Sequence, residues 1–311
     1  MSEEVTKKKS GVGDYIFPWI SIVCATAIFY GSQFLSAIIM VIFHVNIEKS
    51  EGLFALVYSV IAIAALGVFA FFSKNFYSDK KSGVSFKKPE LIKTLLVIMI
   101  AFGLLGCVTS YMIAVNTIAE HAKGGVVEEE LEKYSESVDR YSEVEADEVS
   151  KSDKIFYYVA VVLLVPLTEE LFFRGLILGP LLKKYHGAIG VIVSAIIFGL
   201  AHGISIHIGY AFMSGIIIGS VYCFTRNLGY TYIIHMIFNF FGSVLHMIMN
   251  DGWFTLSEKV TNTINSYVYL LEFFMIIPCF VALIILYVRY KRQRQEELKS
   301  KIKITEAPAE A

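Results

Sequence analysis

Three stretches of this chain place ionisable or strongly polar residues inside apolar runs. The first reads Val165-Pro166-Leu167-Thr168-Glu169-Glu170-Leu171-Phe172-Phe173-Arg174-Gly175. The second ends Phe198-Gly199-Leu200-Ala201-His202, and the third runs His235-Met236-Ile237-Phe238-Asn239. Charge inside lipid is costly and by default marks function. Glu170 and Arg174 are four residues apart, so on a helix they share a face and can pair. Glu169 points about 100° away from Glu170, and no charge on its own helix need neutralise it. His235 and Asn239 share a face by the same spacing. A carboxylate short of water accepts a proton more readily, while imidazole and carboxamide groups can donate hydrogen bonds to developing negative charge.

Each of these residues also has a structural reading. A Glu170–Arg174 pair can be glue within one helix, and a lone membrane histidine or asparagine often only bonds a neighbouring helix. Depth separates the readings. At about 1.5 Å per residue from the cytoplasmic ends of their runs, Glu169 lies roughly 20 Å in, His202 roughly 21 Å and Asn239 roughly 15 Å. Three different helices thus deliver polar groups near the midplane of a hydrocarbon core about 30 Å thick. That convergence is an expensive way merely to pack helices.

The elements that must carry these residues are apolar runs. Of 311 residues, 56% are hydrophobic and 18% charged, with a mean hydropathy of +0.61; a soluble domain carries about 25% charged residues. Eight runs are long enough, or nearly so, to span a bilayer: approximately Ile16–Phe43, Leu53–Ser73, Leu91–Ile118, Ile155–Leu182, Ala188–Ala201, Ile208–Phe224, Tyr230–Ile248 and Tyr267–Tyr290. The fold class expected is therefore all-α, a polytopic membrane protein of about eight transmembrane helices. The fifth and sixth runs are short, which predicts a tight hairpin whose turn is sheltered by protein, since bare backbone cannot face lipid. Pro166 removes a backbone donor and should loosen the fourth helix.

Loop charges agree with eight crossings. Lys7-Lys8-Lys9, the lysines 74, 80, 81, 87 and 88, Lys183-Lys184, Arg226 and the basic end from Arg289 to Arg294 all fall on one side. Glu48, Glu51, the acidic stretch Glu120–Asp153, Asp251 and Glu258 fall on the other. The positive-inside rule then puts both termini in the cytoplasm, with the first run an uncleaved signal-anchor. Short loops and a Lys/Ile-rich composition point to a bacterial plasma membrane. The acidic stretch reads as a solvated loop or helical extension. By sequence character, 1–154 holds a tail, three spans and the acidic extracytoplasmic loop, 155–248 the chemical core, and 249–311 the last span and a basic tail.

Other features are set aside. Cys24, Cys107, Cys223 and Cys279 all lie in apolar runs without metal-site spacing, so they read as core or lipid-facing residues. Glu272 is expected to reach the interface from the outer end of its span, and His246 to be peripheral. Gly11-Val12-Gly13-Asp14 resembles the GxGD of aspartyl intramembrane proteases but precedes the first span. Phe212 stands where a rhomboid-type GxSG needs glycine, and no HExxH is present. No basic surface suggests nucleic acid.

The three motifs, Glu169-Glu170-xxx-Arg174, Phe198-xxx-His202 and His235-xxx-Asn239, resemble the signature of the CPBP family. These are the CAAX proteases and bacteriocin-processing (Abi) enzymes, also called glutamic intramembrane proteases. The resemblance covers roughly 155 to 248. It implies eight helices around a polar cavity in the membrane, and an endopeptidase that cuts membrane-anchored or lipidated peptides within the bilayer. It further implies that Glu169, assisted by His202, activates a water, that His235 and Asn239 stabilise the oxyanion, and that Glu170 and Arg174 hold the constellation. A metal-free mechanism is favoured. Zinc is the alternative, with Glu169, Glu170, His202 and His235 as candidate ligands. Two rival classes stay open, a non-catalytic immunity or scaffold protein of the same fold and a small transporter with a proton-relay carboxylate.

Overall fold

A computed structural model describes residues 12–73, 84–122, 125–143, 149–203, 205–250 and 256–306. Lys7 to Lys9, Gly11, Lys74, Lys80, Lys81 and Asp251 lie outside the described residues, as do 144–148 of the acidic stretch. The described residues form helices and no strand: α1 (Val12–Ile42), α2 (Glu51–Ser73), α3 (Leu91–His121), α4 (Val126–Glu143), α5 (Lys151–Lys184), α6 (Gly187–Leu200), α7 (Ser205–Thr225), α8 (Leu228–Met249) and α9 (Glu258–Glu306). Helices satisfy every backbone group internally, which a chain this apolar needs in lipid. Among the described residues seven are long and apolar enough to cross a membrane, namely α1, α2, α3, α5, α7, α8 and α9. The remaining apolar helix, α6, has 14 residues and extends only about 21 Å. Large side chains such as Phe34, Phe71, Phe274 and Ile277 are exposed along these helices, an exterior suited to lipid. The chain is an all-α, multi-pass membrane protein.

By compactness the chain divides into two units, Met1–Ser85 with Val149–Ser194, and Phe86–Glu148 with Ala195–Ala311. In the first unit α1 buries Ala25, Phe29, Ser32, Ser36 and Met40 at three- and four-residue intervals, one face of a helix. Ser32 and Ser36 each donate a hydrogen bond to a carbonyl four residues back, at 2.7 and 2.8 Å, so neither hydroxyl is left without a partner at the helix contact. Asp153, at the start of α5, caps a different helix. Its two carboxylate oxygens accept from the backbone N–H of Gly52 at 2.9 Å and of Leu53 at 2.8 Å, the first donors of α2. A Cβ at Gly52 would collide with the backbone of Asp153 and Tyr157, so the cap needs glycine there.

In the second unit α3 and α9 lie backbone to backbone. A side chain at Gly103 would strike Met275 and Cys279, and one at Gly106 would strike the Glu272 carbonyl, the small-residue contact that lets membrane helices approach closely. Beside it the Thr109 hydroxyl donates to the Glu272 carboxylate at 2.8 Å. Glu272 is only 3% exposed. Its sequence position predicted that it would reach the interface; instead it is buried, because the glycines bring α9 close enough for Thr109 to engage it. Asn227, 2% exposed, caps α8 by accepting from Gly229 N–H at 3.0 Å, and also bonds both backbone groups of Lys87, at 3.1 and 3.2 Å. Tyr230 accepts from Glu90 N–H at 2.7 Å. Together they fasten the segment before α3 to the start of α8.

α4, the acidic helix, joins this unit by Tyr134. Its ring meets His207 edge-on at 4.8 Å and bonds the Tyr210 hydroxyl. Burial pushes the Tyr134 phenol up from its ordinary value, and the Tyr210 bond opposes the shift. The acidic stretch is thus helical over this range and docked on the first turn of α7.

Candidate active site

α5 departs from regular winding twice. Residues Ala160–Leu164 and Glu170–Leu178 are π-helical, with Val165 N–H bonded to the Ala160 carbonyl and Gly179 N–H to the Arg174 carbonyl. Each π stretch ends two residues before a proline, Pro166 or Pro180. A proline has no N–H to give, and its ring crowds the carbonyl four residues back. Local π winding gives such carbonyls a new partner. The loosening expected from Pro166 therefore takes the form of wider turns, not of a break. Glu169 is the last residue before the second wide stretch and Glu170 its first. A third stretch, Phe240–Val244, follows directly on Asn239. It has no proline; a Cβ at its Gly242 would lie 3.2 Å from Leu105 Cδ2. Such π insertions are frequent at functional sites.

Within the first unit Glu169, Glu170 and Arg174 come together. Arg174 Nη1 donates to Glu170 Oε1 at 3.0 Å, and the two side chains are 1% and 0% exposed. Two charges in such surroundings persist only as a pair. Glu169 is less buried, and its carboxylate acts electrostatically on Arg174 and on Tyr58 of α2. Phe172 and Phe173, three and four residues after Glu169, pack on Phe29 of α1. The Phe172 ring stacks on it at 4.4 Å, and Phe173 meets it at 6.1 Å.

Within the second unit His202 and His235 meet one ring. Phe198 is 4.7 Å from the His202 imidazole and 6.3 Å from that of His235. His202 Nδ1 lies 2.7 Å from the Phe198 carbonyl. A contact that short with an acceptor requires the proton on Nδ1, which leaves Nε2 as the nitrogen able to accept one. The turn holding His202 is made possible by Gly203 at φ 75°, and by Gly199, where a Cβ would lie 3.1 Å from the Ile208 carbonyl. The tight hairpin expected of the two short runs is present. Of its turn, Ala201 and Gly203 are exposed and His202 is half-buried, while Ile204 lies outside the described residues. His235 is 6% exposed, and Asn239 follows it by one turn, half-buried.

Among the described residues no three His, Cys, Asp or Glu side chains form a group that could hold a metal ion, and one candidate ligand, Glu170, is already engaged by Arg174. Of the other candidate ligands, Glu169 belongs to the first unit and His202 and His235 to the second. The four cysteines are free, two buried and two not, as their sequence positions indicated. Sequence reasoning missed Asp153, Tyr58 and the Tyr134–His207 contact. None carries a spacing signal, because each partner comes from a distant helix.

Residues 151–241 match the family of type II CAAX prenyl endopeptidases described as Rce1-like. This segment, under a third of the chain, is similar to that family. It opens at the first residue of α5 and closes two residues past Asn239, so it contains all three motifs. Nothing among curated proteins and nothing among solved structures matches the chain. The matched segment is thus similar to a protease family, in line with the resemblance read from its motifs.

Proposed function

We propose that the chain is an intramembrane endopeptidase that cuts membrane-associated or lipidated peptides with water activated by Glu169 and His202. The observation that carries this reading is that one Rce1-like segment, 151–241, contains every polar residue singled out by depth and spacing. In this mechanism Glu169 takes the proton of the water as it attacks the scissile carbonyl. His202, protonated at Nδ1, offers Nε2 to the same water. His235 and Asn239 donate hydrogen bonds to the oxyanion, the charge that develops in the transition state. Glu170 and Arg174 neutralise each other and fix the helix that bears the base. The proton then passes to the leaving amine. No metal is needed for these steps. The segment 155–248 is the catalytic core in this reading, and the spans on either side complete it. Both termini lie in the cytoplasm of a cell-membrane protein, the acidic helix outside.

Cleavage of a membrane-anchored reporter library, including farnesylated CAAX peptides, tests the proposal with purified protein in lipid. Gln keeps the shape of the glutamate but cannot act as a base. The wild type should cut, and Glu169→Gln should lose at least about 100-fold in kcat while keeping its thermal midpoint. Equal cutting by both proteins removes Glu169 from the role of base. If neither cuts any reporter while the variant still supports the cellular phenotype, the non-catalytic partner reading replaces this one.

A further inference from the structure

Where the apolar spans of α3, α7 and α8 end, the second unit holds an open cavity of about 600 Å³. Its walls come from the segment before α3, the turn between α7 and α8, and the last turns of α9. Lys87 and Lys88 stand on the first wall. Gln293, Glu296, Glu297 and Ser300 stand on the last, at intervals that make one face of a helix. The lysine wall is fixed in place. Asn227 bonds both backbone groups of Lys87, Tyr230 accepts from Glu90 N–H, and both of these side chains are buried. Lys93, on the same wall, pairs with Glu90 at 2.7 Å. The lining also carries two exposed ammonium groups, Lys87 and Lys88, and two exposed carboxylates, Glu296 and Glu297.

The cavity lies at the level of lipid headgroups. The spans of α3 and α8 begin at Leu91 and Leu228, and that of α7 ends at Thr225. Tyr287 and Tyr290 of α9 pack on Phe224 at 5.4 and 5.8 Å, one residue from that end, and tyrosine is favoured at the membrane interface. Directly after the lysines, Leu91, Ile92 and Leu95 of α3 are exposed, so a surface for acyl chains begins where the charged lining stops. One turn before Gln293 on its face, Arg289 has a buried Nη1 with no hydrogen-bond partner. A guanidinium nitrogen so placed needs an acceptor, and a lipid phosphate or ester oxygen at this depth is one.

The two signs of charge narrow the ligand. A purely anionic headgroup would be attracted by the lysines and repelled by Glu296 and Glu297. A phosphodiester that also bears a primary ammonium satisfies both, since an ammonium offers three donors to carboxylates and a quaternary choline offers none. We propose that this cavity binds the headgroup of a phosphatidylethanolamine-type lipid, its phosphate at Lys87 and Lys88, its ammonium at Glu296 and Glu297, and its chains along Leu91 and Leu95. Binding here is independent of cleavage, because none of these residues belongs to the candidate active site.

The test titrates purified, delipidated full-length protein in detergent with phosphatidylethanolamine, phosphatidylglycerol and phosphatidylcholine of one acyl composition, and counts lipid-bound states by native mass spectrometry. Phosphatidylethanolamine should bind at least about fivefold tighter than the other two. Lys87→Gln with Lys88→Gln should weaken its binding about tenfold. Glu296→Gln with Glu297→Gln should turn the preference toward phosphatidylglycerol. All four side chains are exposed, so both variants should keep the thermal midpoint of the lipid-free wild type. No preference for phosphatidylethanolamine in the wild type, unchanged affinity in the lysine variant, or an unchanged preference in the glutamate variant each overturns the proposal. Free glycerophosphoethanolamine competing as well as the lipid would make a soluble phosphate ester the ligand and overturn the lipid assignment.

Discussion

Glu170 and Arg174 form the most deeply buried ion pair among the described residues, and its energetics differ from those of a surface pair. Two partners at 1% and 0% exposure have lost their water, and their mutual attraction must offset that loss. Arg174→Met leaves a buried carboxylate without its cation. It should cost about 3–5 kcal/mol, read as a large drop in thermal midpoint in detergent. The double replacement Glu170→Gln with Arg174→Met should recover most of that loss. If single and double variants melted alike, the pair would have no energetic coupling. The pair was legible in the sequence because both partners sit on one helix four residues apart. Tyr58 was not. Its link to Glu169 runs between helices more than a hundred residues apart, and one tyrosine among 18 carries no spacing of its own.

At the scale of elements, each of the seven helices able to cross a membrane among the described residues coincides with an apolar run of the sequence, and the short fifth run announced the short α6. Winding was less legible. Pro166 predicts a disturbance, but wide turns over Glu170–Leu178 depend on how freed carbonyls find new partners, and those over Phe240–Val244 have no proline to announce them. Caps between helices were also hidden. Asp153 looked like the end of an acidic loop, yet it is 5% exposed and closes the start of α2. Asp153→Ala removes both acceptors and should cost about 1–2 kcal/mol, with Asp153→Asn losing less because one carbonyl oxygen remains. An unchanged midpoint for Asp153→Ala would mean that water satisfies Gly52 and Leu53 as well as the carboxylate does. Glu272 makes the same point from the other side. Depth along α9 placed it near the surface, and the approach permitted by Gly103 and Gly106 turned it inward.

For the molecule as a whole, the sorting of loop charges makes a prediction about sidedness. In a cysteine-free background, Glu132→Cys on α4 should react with an impermeant maleimide on intact cells, and Lys299→Cys only after lysis. Labelling at 299 in intact cells would reverse the orientation. One feature of the fold also bears on how this protein can be imaged. α9 runs unbroken for 49 residues, about 74 Å at helical rise, against a hydrocarbon core of about 30 Å. Its last turns therefore extend beyond that thickness as a stiff continuation of a helix long and apolar enough to span. A folded partner fused in helical register near Glu306 would inherit that stiffness. It would supply particles with a fixed landmark that a 34.9 kDa chain set almost wholly in a micelle otherwise lacks.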